Sequence, residues 1–233
     1  MAEPAGKTAL VAGGSGLVGA RLLRLLLAAG EYSRVLALSR RPLPFDHPRL
    51  ANRVVSFDAG LDAQLAGMRC QDAFCCLGTT QRQAGSPEAF RAVDHDLVLQ
   101  VARTTRAAGA ERFVLISAVG ASERSRNFYL RVKGETERAL AALSLRALDI
   151  MQPSVLLGAR HDLRPLEMLA QGLLWTVNPL LLGGLTRFRG IAASTVAAAM
   201  LGAARSGRRG LNRYPYREMR SLAAGRVRDH ARL

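Results

Sequence analysis

The sequence predicts an α/β fold built on a doubly wound parallel sheet, and three observations support this prediction. Short apolar runs rich in β-branched residues alternate along the chain with longer segments of helical periodicity. A glycine cluster follows the first apolar run and opens the first helical segment. The chain has 233 residues, of which 49% are hydrophobic and 22% charged, which is typical of one globular domain with a full core.

The net charge of +15 is the unusual feature of the composition. It points to an anionic partner, yet 31 of the 33 basic residues are arginine, which indicates a codon bias rather than a selected patch. There is no zinc or helix-turn-helix pattern, so nucleic-acid binding is not expected. Three cysteines do not form a disulfide framework, and four scattered histidines lack metal-ligand spacing, so we predict no metal.

One domain is predicted over residues 1–223, and the basic tail at 224–233 is expected to be disordered. The chain begins without a signal-peptide pattern, and no apolar run approaches the ~18 residues of a membrane-spanning helix. These features predict a cytoplasmic protein. The most apolar stretch, Leu173 to Leu185, is broken by Asn178-Pro179 and is interpreted as a buried helix and loop, with peripheral membrane contact as the alternative.

The first predicted strand, Thr8 to Ala12, leads into the glycine cluster and a helix that ends near Ala29. The glycines fit both Gly-x-x-Gly-x-x-Gly and Gly-x-Gly-x-x-Gly. In either register, small residues let backbone N–H groups and a helix amino terminus approach a pyrophosphate. A strand before the cluster and a helix after it is the context that a dinucleotide site requires. The residues predicted to bind the dinucleotide are Gly13, Gly14, Ser15, Gly16, Leu17, Val18 and Gly19.

The second predicted strand, Arg34 to Leu38, ends at the position that decides between the two nicotinamide dinucleotides. Proteins selective for NAD usually place an acid here, on the ribose hydroxyls. This chain has Ser39, Arg40 and Arg41 instead. A hydroxyl and two guanidinium groups suit a 2′-phosphate, so we predict NADP(H). The alternative is that these are surface arginines of an arginine-rich chain.

The later elements continue the alternation of strands and helices. The further strands are predicted at Val54 to Phe57, Asp72 to Cys76, Phe113 to Ser117 and Leu145 to Met151, with one more before Met219. The helices are predicted near Leu61 to Leu65, from Pro87 to about Ala108, across Tyr129 and Lys133 to about Leu143, from Pro165 toward Val177, and from a cap at Ser194 or Thr195 to about Ala204.

Three residues form a candidate proton-transfer set. Ser117 ends a predicted strand, and Tyr129 and Lys133 are four residues apart, on one face of a predicted helix. An ammonium group within a few ångström favours a phenolate. A Tyr-x-x-x-Lys pair is common by chance, but this chain has only two lysines and one lies at this position. We therefore predict that Ser117, Tyr129 and Lys133 are catalytic.

The same residues carry a family resemblance. Ser117, Tyr129 and Lys133 resemble the Ser…Tyr-x-x-x-Lys set of the short-chain dehydrogenase/reductase superfamily, whose members have an NAD(P)-binding Rossmann fold. Two segments, Phe74 to Thr80 and Tyr129 to Glu135, are similar to its atypical, Tat-interacting oxidoreductase-like branch. The resemblance extends from the first strand to about Arg205.

The resemblance adds further cofactor-binding residues. It implies that Asp58 meets the adenine amino group, that the segment 77–80 contacts the nicotinamide ribose, and that a turn after the sixth strand covers the nicotinamide. The residues implied by these two segments are Leu77, Gly78, Thr79, Thr80, Pro153 and Val155. Asp94 lies where extended relatives carry an asparagine that holds the lysine through a water. This departure puts a four-residue proton relay in doubt.

The function implied is an NADP-dependent oxidoreductase that acts on a small carbonyl or alcohol. In it, Tyr129 exchanges the proton, Lys133 assists it and holds the ribose, and Ser117 hydrogen-bonds the substrate oxygen. Residues 159–189 are expected to form a small lobe over the site. The alternative is a non-catalytic NADPH-sensing protein whose bound cofactor controls a protein partner, a role also proposed for this branch.

Overall fold

The computed structural model of the chain describes residues 6–56, 60–65, 67–157 and 183–225. Its strands are β1 (Lys7–Ala12), β2 (Tyr32–Ser39), β3 (Leu50–Val54), β4 (Asp72–Cys75), β5 (Arg112–Ile116), β6 (Ala147–Met151), β7 (Leu156–Leu157), β8 (Ile191–Ala192) and β9 (Gly210–Tyr214). Its α-helices are α1 (Gly19–Ala28), α2 (Leu61–Gln64), α3 (Gln81–Ala84), α4 (Pro87–Arg91), α5 (Val98–Ala107), α6 (Phe128–Ala141), α7 (Ala193–Arg205) and α8 (Tyr216–Ala223).

Seven strands form the main sheet in the order β3-β2-β1-β4-β5-β6-β9, and β7 pairs with β8 in a separate two-stranded sheet. Every pairing in the main sheet is parallel. The strand order reverses between β1 and β4, which opens a crevice at the carboxyl ends of the strands. The predicted doubly wound parallel sheet is therefore confirmed.

Helices cover both faces of the sheet, as the apolar strands require. Successive side chains of β1 point to opposite faces, so Ala9 and Val11 belong to one apolar layer and Leu10 and Ala12 to the other. The first layer contains the apolar faces of α1, α7 and α8, and the second contains that of α5.

The third strand differs from its prediction. It was expected at Val54 to Phe57, but β3 ends at Val54, and Phe57 lies outside the described residues. Asn52 explains the difference, because its side chain hydrogen-bonds the amide of Leu43, the carbonyl of Ala37 and the hydroxyl of Ser39. These side-chain bonds hold an edge strand whose residues are only half-buried or exposed, so its apolar pattern is weak.

The helix predicted from Pro87 to Ala108 begins as expected, with Ser86 capping the amide of Ala89. A π-helical turn, Ala92–Leu97, interrupts it between α4 and α5. Helix α8 was not predicted. The predicted helix at Pro165 to Val177, most of the 159–189 lobe and nearly all of the tail lie outside the described residues, as does Asp58.

Candidate active-site cleft

A cleft of about 520 Å³ opens beyond the carboxyl ends of the central strands, within the size range of small-molecule sites. It lies at the reversal of strand order, where ligands bind in open parallel sheets. The described residues that line it are Gly16, Leu17, Val18, Cys76, Leu77, Gly78, Thr79, Thr80, Gln81, Gln83, Asp94, Ile116, Ser117, Tyr129, Lys133, Pro153, Ser154 and Leu156.

The glycine loop connects β1 to α1 at one wall of the cleft. Gly13 has a φ of +82°, and a Cβ there would lie 2.7 Å from the Cys76 backbone, so this glycine lets the loop pack against the end of β4. A Cβ at Gly16 would meet only the carbonyl oxygen of Gly13, at 3.3 Å. Gly16 therefore keeps open the space in front of α1. Within the described chain, no side chain caps α1 and no acid lies in its first turn, so its amino end suits an anion.

The turn after β2 is built differently from its prediction. The hydroxyl of Ser39 is buried, donates to the carbonyl of Arg41 at 2.7 Å, and accepts from the amide of Asn52 at 2.8 Å. Ser39 thus shapes the turn, and its proton is not offered to a phosphate. Arg40 and Arg41 are exposed on this turn, next to the strand that carries the glycine loop.

The loop after β4 forms the floor of the cleft. The backbone amide of Thr79 donates to Asp94 Oδ2 at 2.8 Å, and Thr80 caps α3 by accepting from the amide of Gln83. A Cβ at Gly78 would lie 3.3 Å from Asp94 Oδ1 and 3.8 Å from Lys133 Nζ. The glycine therefore leaves room above these two charged groups.

Helix α6 places Tyr129 and Lys133 together on one wall of the cleft. It begins at a cap in which Asn127 accepts from the amide of Leu130 at 3.1 Å. The ring of Tyr129 packs at a tilt against Phe90, with 5.7 Å between ring centroids, and the residue is half-buried. Both predicted residues line the cleft, as the four-residue spacing requires.

Lys133 is buried and forms an ion pair with Asp94, with 2.7 Å between Nζ and Oδ1. Burial acts to lower the pKa of Lys133, but the negative charge of Asp94 and a smaller effect of Tyr129 outweigh it, so the net direction is upward. Lys133 is therefore charged at ordinary pH. Asp94 balances that charge. The ion pair therefore stabilises a Tyr129 phenolate less than an unpaired lysine would, which is what the sequence analysis assumed.

Ser117 lines the cleft, but its side chain points to a buried polar network. Its hydroxyl donates to Glu137 Oε1 at 2.7 Å, and the same oxygen accepts from the side chain of Gln152 at 2.8 Å. The other oxygen of Glu137 accepts from Arg213 at 2.9 Å. In this arrangement the proton of Ser117 is committed to Glu137 and is not available to a substrate oxygen.

The cleft brings together many of the predicted residues and leaves others away from it. Pro153 lines it, whereas Val155 is exposed, and its carbonyl accepts from Ile191. Gly13, Gly14 and Ser15 of the glycine loop, and Gly19 at the start of α1, are not among the lining residues. Sequence reasoning did not assign the lining residues Cys76, Gln81, Gln83, Ile116, Ser154 and Leu156 to the site, and it left Asp94 without a role. Position gave a signal for three of them, because Ile116 ends β5 and Cys76 and Ser154 follow the carboxyl ends of β4 and β6.

No cluster of three or more histidine, cysteine, aspartate or glutamate side chains in the described part of the chain could hold a metal ion. Among the helices described, none is long and apolar enough to cross a membrane.

Residues 9–139 match the model of the NAD dependent epimerase/dehydratase family. Protein HTATIP2 of Rattus norvegicus is 38% identical over 169 residues, which cover 71% of this chain and 69% of that protein. Protein FMP52, mitochondrial, of Saccharomyces cerevisiae is 39% identical over 155 residues, which cover 66% of this chain and 67% of that protein.

Solved structures share the fold at lower identity. MoeE5 in complex with UDP-glucose and NAD has a TM-score of 0.67 and 19% identity, over 93% of this chain and 81% of that one. UDP-glucose 4-epimerase from Thermotoga maritima, with UDP-glucose, has a TM-score of 0.67 and 16% identity, over 89% of this chain and 76% of that one. At these identities the likeness shows the Rossmann fold alone.

The prediction of a cytoplasmic location is wrong, because the yeast relatives of Saccharomyces cerevisiae, Candida glabrata and Eremothecium gossypii are named as mitochondrial proteins. The family prediction is confirmed by the matched model, the sequence relatives and the shared fold. The chain belongs to the NAD dependent epimerase/dehydratase family of short-chain dehydrogenase/reductase-like proteins, in the Tat-interacting oxidoreductase-like branch that includes HTATIP2 and FMP52.

Proposed function

We propose that this protein is an NADP-dependent oxidoreductase that acts on a small carbonyl or alcohol. The observation that carries the proposal is the placement of Tyr129 and the buried, charged Lys133 in one cleft with Gly16 and the loop after β4. A proton donor, a fixed cation and an uncapped helix amino end are what nicotinamide-dependent carbonyl chemistry needs.

The cleft fits a nicotinamide dinucleotide. The space that a Cβ at Gly16 would enter, at the uncapped amino end of α1, suits a pyrophosphate. Gly78 leaves room beside Lys133 for a ribose. When bound, the nicotinamide would supply or accept the hydride. Arg40 and Arg41, exposed beside the glycine loop, favour a 2′-phosphate and hence NADP(H) over NAD(H).

The chain's own residues would handle the proton. In carbonyl reduction Tyr129 gives its phenolic proton to the substrate oxygen, and in alcohol oxidation it takes that proton back. The Asp94–Lys133 ion pair holds a cation beside Tyr129, which supports the phenolate left after proton transfer. Because its proton is donated to Glu137, the Ser117 oxygen can accept a hydrogen bond from the hydroxyl of an alcohol but cannot donate one to a carbonyl.

A second candidate function is a non-catalytic NADPH sensor that controls a protein partner. The observation in its favour is again Ser117, whose hydroxyl proton is directed away from any substrate oxygen. A sensor needs the nucleotide cleft but not a complete set of proton-handling groups.

Turnover of a panel of aldehydes and ketones with NADPH or NADH, measured beside the affinity for each nucleotide, tests the proposal. We expect carbonyl-dependent oxidation of NADPH in the unmutated protein. Gly16→Val should abolish nucleotide binding and turnover together, because a branched side chain would fill the space before α1. Gly30→Val is the matched control, since a Cβ there has no neighbour within 4 Å.

Tight NADPH binding without turnover of any carbonyl would replace the enzyme by the sensor. Normal NADPH binding by Gly16→Val would show that the glycine loop is not the phosphate site.

A further inference from the structure

The carboxylate of Asp94 lies where three segments of the cleft meet. One oxygen accepts from the Thr79 amide of the loop after β4, and the other lies 2.7 Å from Lys133 Nζ of α6. The backbone carbonyl of Asp94 also accepts from the hydroxyl of Thr136, one turn further along α6. Asp94 is 1% exposed, so these contacts replace water almost completely.

The backbone around Asp94 is unusual. Asp94 lies within the π-helical turn that joins α4 to α5, in the middle of what the sequence predicts as a regular helix. A π-helical turn is rare and occurs frequently at functional sites. Here the turn presents both the side chain and the carbonyl of Asp94 to α6.

The ion pair has hydrogen-bonding capacity that the described residues leave unused. Asp94 Oδ1 is buried, and the Lys133 ammonium, with Nζ 2.7 Å away, is its one polar partner among those residues. A lysine ammonium has three N–H donors, and Asp94 is its one ion-pair partner in the part of the chain described. Gly78 keeps the space over both groups open toward the cleft.

We infer that Asp94 is a positioning residue: it binds the Lys133 ammonium directly, keeps it charged in a dry wall of the cleft, and couples it to the Thr79 amide of the cofactor loop. The catalytic purpose of this contact rests on the proposed function, but the titration of Lys133 that tests the contact does not. A water-bridged lysine would be free to shift, whereas an ion pair of 2.7 Å fixes Nζ relative to the loop that faces the ligand.

Among the described residues, few other ionisable groups lie near this pair. Tyr129 faces Lys133 from the same helix, and Cys75 faces it from β4. Burial raises the pKa of Cys75 to about 12, so it is a neutral thiol. Glu137, one turn beyond Lys133, is engaged by Ser117, Gln152 and Arg213. Asp94 is therefore the negative charge that opposes the effect of burial on Lys133.

The chain has only two lysines, Lys7 and Lys133, which allows a direct test on the free protein. NMR of protein labelled with ¹⁵N at lysine Nζ should show two side-chain signals, and Lys133→Met removes and so assigns one of them. With the carboxylate gone and the burial unchanged, Asp94→Asn should lower the pKa of Lys133 by at least about one pH unit.

Asp96→Asn is the matched control, because it makes the same chemical change two residues away on an acid whose side chain is 61% exposed and contacts His95. It should leave the Lys133 titration unchanged. An unchanged titration in Asp94→Asn, or an equal shift in Asp96→Asn, would overturn the inference.

Asp94→Asn leaves a buried ammonium unpaired, so a folding defect is a foreseeable outcome. The double variant Asp94→Asn with Lys133→Met removes both charges and should then recover the thermal midpoint of Lys133→Met alone or better. Failure of the double variant to recover it would mean that Asp94 acts by packing, which also overturns the inference.

A readout on activity separates this inference from the proposed function. In Asp94→Asn, the loss of turnover should grow with pH as Lys133 loses its proton, and Asp96→Asn should show the pH profile of the unmutated protein. A shifted Lys133 titration in a protein with no turnover would refute the enzyme and keep the ion-pair role. Turnover with an unshifted titration would do the reverse.

Discussion

Two buried ion pairs, Arg112–Asp149 and Asp94–Lys133, lie toward opposite ends of the parallel strands and have different surroundings. Arg112 begins β5, and its partner Asp149 also accepts from Tyr214 at 3.0 Å and Asn212 at 3.1 Å. A second nitrogen of Arg112 donates to the carbonyl of Arg208 at 2.7 Å. All of these contacts are made by protein groups, and Arg112 Nε also lies 4.0 Å from Asp72 Oδ1.

The Asp94–Lys133 pair borders the cleft and has fewer partners. The Thr79 amide binds one carboxylate oxygen, and Lys133 Nζ lies beside the other. The comparison teaches that a buried charge with all its hydrogen bonds made by protein mainly fixes the fold. A buried charged group that keeps unused N–H donors beside an opening can bind a ligand. We therefore assign stability to the first pair and function to the second.

The largest expected effect is the loss of stability when the Arg112–Asp149 pair is broken. Arg112→Met leaves Asp149 buried without its cation, and removal of one partner of a buried pair costs about 3–5 kcal/mol of unfolding free energy. Nucleotide affinity of the protein that remains folded should not change. Urea unfolding measures the loss.

The matched control for that variant is Arg146→Met, whose ion pair with Glu111 has side-chain exposures of 50% and 59%. It should cost less than about 1 kcal/mol. Equal losses for the two variants would contradict the structural role of Arg112.

The next prediction concerns turnover, for which the Asp94–Lys133 pair should matter more than the Arg112–Asp149 pair. Lys133→Met should lower turnover by at least about a hundredfold, or roughly 2.7 kcal/mol of transition-state stabilisation. Its loss of unfolding free energy should be smaller than that of Arg112→Met, because Asp94 keeps the Thr79 amide and borders the cleft. Steady-state kinetics and urea unfolding of both variants check the reversal. A stability loss larger than that of Arg112→Met would break the comparison.

The third prediction concerns cofactor preference at the carboxyl ends of the strands. NADPH should bind at least about tenfold tighter than NADH, a difference of about 1.4 kcal/mol. Arg40→Ala with Arg41→Ala should erase most of that gap, as measured by titration of both nucleotides. Arg24→Ala with Arg34→Ala removes the same charge from exposed positions elsewhere and should preserve the gap. Equal affinities in the unmutated protein would remove the NADP assignment.

The smallest expected effect is on the pH dependence of stability. The pKa of Lys133 lies above the ordinary lysine value of 10.5, because Asp94 outweighs the opposing effect of burial. Such a group stabilises the fold fully below its unfolded pKa and loses that contribution as the pH rises through the folded value. The difference in unfolding free energy between the unmutated protein and Lys133→Met should therefore be constant up to about pH 10 and fall above it. A difference that increases with alkaline pH would have the wrong sign.

The fold was predictable because the strands of the central sheet are buried on both faces and read as apolar runs. Two local signals were also sufficient to place residues in the cleft. They are the glycine cluster after β1 and the four-residue spacing of Tyr129 and Lys133 on α6. The edge strand β3 was misplaced because Asn52, a polar side chain with three hydrogen bonds, replaces the apolar pattern there.

The direction of side chains was not predictable. Ser39 and Ser117 lie where expected, but each hydroxyl donates to a partner within the protein: the carbonyl of Arg41 for one and Glu137 for the other. The π-helical turn at Asp94 gave no sequence signal, because its residues fit a regular helix. Such contacts depend on which elements meet in three dimensions, and periodicity carries no information on that.

The measurement that tests the central claim most directly is the effect of Tyr129→Phe on turnover and on NADPH affinity, measured on the same protein. Only the phenolic oxygen is lost, and the ring contact with Phe90 is kept. We predict that turnover falls roughly a thousandfold while NADPH affinity stays nearly unchanged, and that Tyr216→Phe, on α8, alters neither. If Tyr129→Phe turns over carbonyls as fast as the unmutated protein, the cleft does not use Tyr129 as its acid, and the role assigned to Tyr129 is wrong.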